Sequence, residues 1–229
     1  MSRRAQPAFA STAFTAARAT PLPSVAARAP LPAPSVSRGF AASAGPSTVG
    51  EAASALEQMY AAPLRYLHWL IAGGTIGAFA AVQMAQRSKG PDKMRYMNLH
   101  KSLGVTVLAL TAPRLLLRLT TKIPAPVPGS SIEQLAAAAG HAAMYGFLVV
   151  MPTTGFVMGY YGGKGLPFFG YTIPGAAERD GKLAGRAFKL HKQLGYYYEL
   201  FVPVHVGAVG FHALKGQNIL RRMGVTLFG

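Results

Sequence analysis

The stretch that decides the fold is residues 191–212, HKQLGYYYELFVPVHVGAVGFH, which is apolar yet carries His191, His205 and His212. An α-helix turns about 100° per residue, so His205 lies within roughly 40° of His191, and His212 continues the same stripe. At a rise of about 1.5 Å per residue, His191 and His205 are roughly 21 Å apart along the axis, most of the thickness of a bilayer core. Ionisable side chains inside a membrane are costly and usually functional, so we expect a functional imidazole near each membrane face.

The composition of the 229 residues favours an integral membrane protein, because 51% are hydrophobic and only 13% are charged. The net charge of +16 would ordinarily suggest nucleic acid. Here the basic residues lie in the N-terminal segment and between apolar segments, so we expect no nucleic-acid partner and instead contact with membrane lipid. The chain has no cysteine. This excludes disulfides, iron–sulfur clusters, thiolate haem ligation and covalent haem attachment.

Four apolar segments, each near the length of about 20 residues that a spanning helix needs, predict an all-α integral membrane four-helix bundle. The segments are residues 64–86, 98–119, 135–161 and 189–214. We assign residues 64–223 to this transmembrane domain and residues 224–229 to a C-terminal tail. We call one membrane face the N side; it carries residue 64, the 120–134 connection and the C-terminus. The opposite face, with connections 87–97 and 162–188, is called the loop side.

The N-terminal segment, residues 1–40, has the composition of a cleavable organelle transit peptide, because it is rich in Arg and Ser and the first acidic residue is Glu51. Arg38-Gly39-Phe40 resembles a mitochondrial processing site with the cut after Phe40. Residues 41–63 then form a lead-in segment. These features predict a multi-pass protein of the mitochondrial inner membrane. A plastid transit peptide and a plain disordered N-terminus are the alternatives.

The depths of the histidines predict two pairs. His100 and His191 open their spans at the loop side, whereas His68 and His205 lie toward the N side. Two imidazole pairs at different depths of a four-helix bundle are what two six-coordinate haem b groups need, so we predict two haem b with these four axial ligands. His212 is the alternative partner of His68, and His141 is read as a polar residue near the N side.

A repeated pentapeptide supports the pairing, because His100-Lys101-Ser102-Leu103-Gly104 is nearly the same as His191-Lys192-Gln193-Leu194-Gly195. A glycine four residues after a histidine lies on the same helix face one turn deeper. Gly104 and Gly195 therefore leave space where a porphyrin plane would lie.

Two charged residues inside the spans each allow two interpretations. Arg114 either reaches to the membrane surface as an anchor or pairs with a haem propionate, since Arg suits bidentate contact with a carboxylate. Glu199 is either a protonatable group near a quinone or a hydrogen-bond partner of a neighbouring helix.

Taken together, these motifs resemble the bacterial-type cytochrome b561 family, four-helix dihaem proteins related to the cytochrome b subunits of hydrogenases and formate dehydrogenases. The resemblance covers residues 64–223. It rests on Leu67-His68-Trp69, on Leu99-His100 with Gly104, on Gly140-His141, and on the spacings of 14 and 7 between His191, His205 and His212. It implies haems on His68 with His205 and on His100 with His191. The organelle leader departs from the bacterial pattern.

The expected function is transmembrane electron transfer to ubiquinone. Some members of the resembled family oxidise superoxide, and a basic loop side would attract such a small anion. Basic residues that anchor lipid headgroups are the other interpretation. The basic residues in question are Lys89, Lys93, Arg95, Lys101, Lys182, Arg186, Lys189 and Lys192. A haem-bearing anchor subunit of a larger respiratory complex is the alternative function, and a haem-free assembly factor is the third.

Overall fold

The computed structural model describes residues 58–225, so the expected transit peptide and its cleavage site lie outside the described residues. Four long α-helices, one β-hairpin and a short 3-10 helix make up the described part. The helices are α1 Ala62–Arg87, α2 Gly90–Thr120, α3 Ser131–Tyr161 and α4 Gly181–Leu214; the strands are β1 Leu166–Phe168 and β2 Tyr171–Ile173, and the 3-10 helix is Ile219–Met223. The predicted all-α membrane bundle is confirmed.

The helices are long enough to cross a bilayer. α1, α2 and α3 each combine this length with an apolar composition. α4 has 34 residues, or about 51 Å at 1.5 Å per residue, which exceeds a hydrocarbon core of about 30 Å. Its first turns carry several lysines and arginines, so this end of α4 extends beyond the apolar layer on the loop side.

Both α2 and α4 begin eight residues before the predicted spans, at residue 90 instead of 98 and at 181 instead of 189. The difference arises because polar residues that favour the start of a helix precede each apolar segment, so each helix begins outside the apolar layer. α2 starts with a proline in its first turn, followed by Asp92. At α4, the Asp180 carboxylate accepts a hydrogen bond from the Leu183 N–H at 2.8 Å.

The hydrophobic core lies where three helices meet, at Ile71 of α1, Val107 of α2 and Leu148 of α3. α1 packs chiefly on α2, and α3 packs chiefly on α4. Buried Thr111 donates its hydroxyl to the Val107 carbonyl at 2.7 Å, so this polar group adds no unpaired donor to the core. The bundle is therefore two helical hairpins that meet along α2 and α3.

The connection between α3 and α4 contains a hairpin that the sequence did not reveal. β1 and β2 are antiparallel, with Phe168 opposite Tyr171. Phe169 and Gly170 form the turn with φ of 45° and 94°, the positive values that a two-residue hairpin turn uses. The Ser102 hydroxyl accepts from the Phe169 N–H at 3.1 Å and donates to the Pro167 carbonyl at 3.2 Å. The hairpin is thereby fixed to α2, close to His100.

Candidate functional site: two histidine pairs at two depths

The loop-side pair consists of His100 on α2 and His191 on α4, whose ring centres are 6.2 Å apart. His100 Nδ1 donates to the Ala78 carbonyl at 2.9 Å, and His191 Nδ1 donates to the Met151 carbonyl at 2.9 Å. A carbonyl can only accept a hydrogen bond, so each neutral imidazole carries its proton on Nδ1. The lone pair is then on Nε2, which is the state that a metal ligand requires.

The N-side pair consists of His68 on α1 and His205 on α4, with ring centres 6.4 Å apart. The environment differs from that of the loop side, because Arg114 Nη2 lies 3.2 Å from His68 Nδ1. Arg114 Nη1 donates to the Leu64 carbonyl at 3.3 Å, and the guanidinium lies over the Tyr145 ring at 5.8 Å. A fixed positive charge therefore stands where the loop-side histidines have backbone carbonyls.

The remaining two histidines also lie at the N-side end. The His141 ring centre is 6.2 Å from that of His205, a proximity that we did not expect from the sequence. His212 instead donates from Nδ1 to the Gln217 side-chain oxygen at 2.7 Å. It is thus His205 that stands against His68, with His141 as a second neighbour.

The separations within both pairs fit a single iron between two imidazoles. A metal–imidazole bond is about 2.0 Å and the ring centre lies roughly 1.1 Å beyond the nitrogen, so two ligands on opposite sides of one metal have ring centres about 6.2 Å apart. Among the described residues, no group of three or more His, Asp or Glu side chains is arranged to hold a bare metal ion. Two protein ligands per site suit an iron whose other ligands come from a porphyrin.

Glycines control the space around the loop-side pair. A Cβ built on Gly104 would meet no atom within 4 Å, which agrees with the space expected beside His100. A Cβ on Gly195 would contact the Met151 Cε at 3.5 Å, so this glycine also brings α4 close to α3. At Gly155, which the sequence indicated only as part of the family resemblance, a Cβ would be 3.2 Å from His191 Cε1. Gly155 therefore makes room for the His191 ring itself.

Two arginines near the N side hold buried N–H groups without a hydrogen-bond acceptor, namely Arg118 Nη1 and Arg65 Nε. The Arg118 guanidinium lies over the Tyr60 ring at 5.9 Å. A buried charged donor left without an acceptor is costly, and a carboxylate is the strongest acceptor for a guanidinium. The N-side end of the bundle thus suits a ligand that brings carboxylates, as the propionates of haem do.

An aromatic layer separates the two pairs. Tyr198 is seven residues from both His191 and His205, and only 6% of it is exposed. Its ring stacks on Phe147 of α3 at 4.9 Å and meets Phe79 of α1 edge-on at 5.3 Å. The seven-residue spacing to each histidine is a signal in the sequence for this position. Tyr198 fills the bundle between the two depths.

Glu199, next to this layer, accepts a hydrogen bond from the Gln83 side-chain amide at 2.6 Å. Of the two interpretations given above, the contact with a neighbouring helix is the one observed. Together with the pair of Phe79 and Tyr198, it joins α1 to α4. Of the two lysines that follow loop-side histidines, Lys101 is partly buried next to His100, whereas Lys192 is exposed.

A helical membrane bundle that holds inward-facing imidazoles in pairs defines a b-type membrane cytochrome, a transmembrane electron-transfer protein that binds haem b. The chain belongs to the prokaryotic cytochrome b561 family, whose model matches residues 59–224. The expected resemblance is thereby confirmed.

Three relatives illustrate the match. Cytochrome b561 homolog 2 of Escherichia coli (strain K12) is 32% identical over 162 residues, which are 66% of this chain and 81% of that protein. The probable superoxide oxidase CybB of Yersinia pestis is 29% identical over 165 residues, 69% of this chain and 91% of that protein. Cytochrome b561 homolog 1 of Escherichia coli (strain K12) is 26% identical over 165 residues, 69% of this chain and 92% of that protein.

Proposed function

We propose that the protein carries electrons across a membrane through two haem b groups, one held by His100 with His191 and the other by His68 with His205. The observation that carries this proposal is the pair of ring-centre separations, 6.2 and 6.4 Å, at two depths of one bundle. When bound, each haem would supply a one-electron carrier, which suits electron transfer.

The choice of His68 over His141 as the partner of His205 follows the family resemblance and the surroundings of each ring. His68 is held in place by Arg114, which is itself fixed by the Leu64 carbonyl. Only one imidazole can stand opposite His205 on a given iron, so His141 lies beside the site without ligating. We assign the propionates to this N-side cluster, where Arg118 Nη1 and Arg65 Nε are the buried N–H groups without a protein acceptor.

We further propose ubiquinone as the electron acceptor and superoxide as a donor. One similar protein is named a probable superoxide oxidase, and the basic residues of the loop side would concentrate a small anion there. In this reaction two superoxide anions each lose one electron and become dioxygen. One quinone takes up both electrons with two protons and becomes the quinol, so charge and atoms balance.

The proposed location is the mitochondrial inner membrane, with a plastid membrane as the alternative, because of the composition of residues 1–40. The competing role, a haem-bearing anchor subunit of a larger respiratory complex, predicts a different behaviour on native gels. A free carrier migrates near its own mass, whereas a subunit migrates with its complex.

The deciding experiment measures haem b per chain in the purified protein by the pyridine haemochrome assay and then quinone reduction under a superoxide flux. We expect two haems per chain and superoxide-dependent quinol formation. A fully loaded protein with one haem would refute the two-pair assignment. Two haems without quinol formation would refute the substrate pair and leave the assignment of the ligands intact.

A further inference from the structure

The two histidine pairs differ in the groups that face their Nδ1 atoms. Both loop-side histidines donate from Nδ1 to a backbone carbonyl, at 2.9 Å in each case, and the Thr154 hydroxyl oxygen also lies 3.0 Å from His191 Nδ1. Donation to an acceptor raises the basicity of a ligating imidazole. A more basic ligand favours the ferric state, and this lowers the midpoint potential of the loop-side haem.

On the N side the corresponding group is a cation. Arg114 Nη2 lies 3.2 Å from His68 Nδ1. The groups that act on this guanidinium are neutral or cationic: the Leu64 carbonyl and the His68 ring on α1, Tyr145 on α3, Tyr60, and Arg118 one turn further along α2.

The described acidic side chains near the membrane are engaged elsewhere. Glu133 forms an ion pair with Lys215 at 2.6 Å, and Glu199 accepts from Gln83. No carboxylate in the described part of the chain therefore compensates Arg114. A nearby positive charge favours the ferrous state, because reduction removes one positive charge from the iron, and burial strengthens this effect.

We propose that Arg114 holds the N-side haem at a higher midpoint potential than the loop-side haem, so that the resting potentials direct electrons from the loop side to the N side. The inference rests on the proposed ligand pairs. Lys101 acts on the loop-side haem in the same sense, but its ammonium is less buried than the Arg114 guanidinium and therefore shifts the potential less. Arg114, which contacts a ligand ring directly, is thus the cation that we expect to act most strongly on its haem.

The test is a redox titration of the purified protein, followed optically, with Arg114→Gln, Arg114→Lys and Lys101→Gln as the variants. We expect the titration of the parent protein to resolve two components, each with its own midpoint potential and each belonging to one haem. Arg114→Gln should lower only the higher component, whereas Arg114→Lys, which keeps the charge, should leave it near its original value. Lys101→Gln is the matched control for loss of one positive charge and should move only the lower component, by a smaller amount.

An independent measurement does not require an Arg114 variant. His100→Ala should leave one haem, and that haem should titrate with the higher of the two parent potentials. The proposal is overturned if the remaining haem has the lower potential, or if Arg114→Gln lowers the lower component or leaves both unchanged. A rise in the higher midpoint potential of Arg114→Gln would also overturn the proposal, because it would mean that Arg114 stabilises a deprotonated His68. Haem content is measured on every sample, and a parent protein with one haem refutes the ligand pairs themselves.

Discussion

Gly104 offers a direct test of where the porphyrin of the loop-side haem lies. In the protein alone, a methyl group at this position meets no atom within 4 Å. Gly104 is inside α2, where replacing glycine by alanine stabilises a helix by about 0.5–1 kcal/mol. Without a cofactor above it, Gly104→Ala should therefore be neutral or stabilising.

If the porphyrin lies over Gly104, the same methyl group overlaps with it. Overpacking of a well-filled site costs about 1–3 kcal/mol, equivalent to roughly 5- to 150-fold in affinity. We expect Gly104→Ala to weaken binding of the loop-side haem by this amount and to leave the N-side haem in place. The assay is haem content after repeated detergent washing, together with the optical difference spectrum.

Gly185→Ala is the matched control, because Gly185 also lies inside a helix with no atom within 4 Å of the added methyl group, but is six residues before His191. It should retain both haems in full. If Gly104→Ala retains both haems with an unchanged spectrum, the porphyrin does not occupy the face of α2 that Gly104 exposes, and the interpretation of the repeated pentapeptide is wrong.

The other predictions concern the ligands and the N-terminus. Replacing His100 or His191 by alanine should remove one and the same haem, and replacing His68 or His205 should remove the other, since one imidazole holds a six-coordinate haem only weakly. Optical spectra of the single and double variants check this. His141→Ala and His212→Ala should each retain two haems, and loss of the N-side haem in His212→Ala with its retention in His205→Ala would show that the 14-residue spacing selected the wrong ligand. N-terminal sequencing of protein from the organelle should find Ala41 first, whereas an intact Met1 would contradict the transit peptide.

The connection between α3 and α4 shows where prediction from local sequence ends. Residues 162–188 are rich in Gly and Pro and were interpreted only as a connector, yet they contain the hairpin that Ser102 fixes to α2. Its strands have three residues each, too few for a period-2 pattern to be visible. The hydrogen bonds to Ser102, 65 and 67 residues away in sequence, supply what the local pattern does not.

The sequence by itself determined the depth of each histidine, because an apolar span has a known direction and the helix has a fixed rise per residue. These depths were sufficient to predict that His100 pairs with His191 and His68 with His205. It gave no information on rotation about the helix axes or on lateral position, which depend on how side chains of different helices pack. Only the tertiary structure placed His141 beside His205, Arg114 against His68 and Tyr198 between the two pairs. Those contacts join residues 46 or more positions apart in the chain, so no local pattern encodes them.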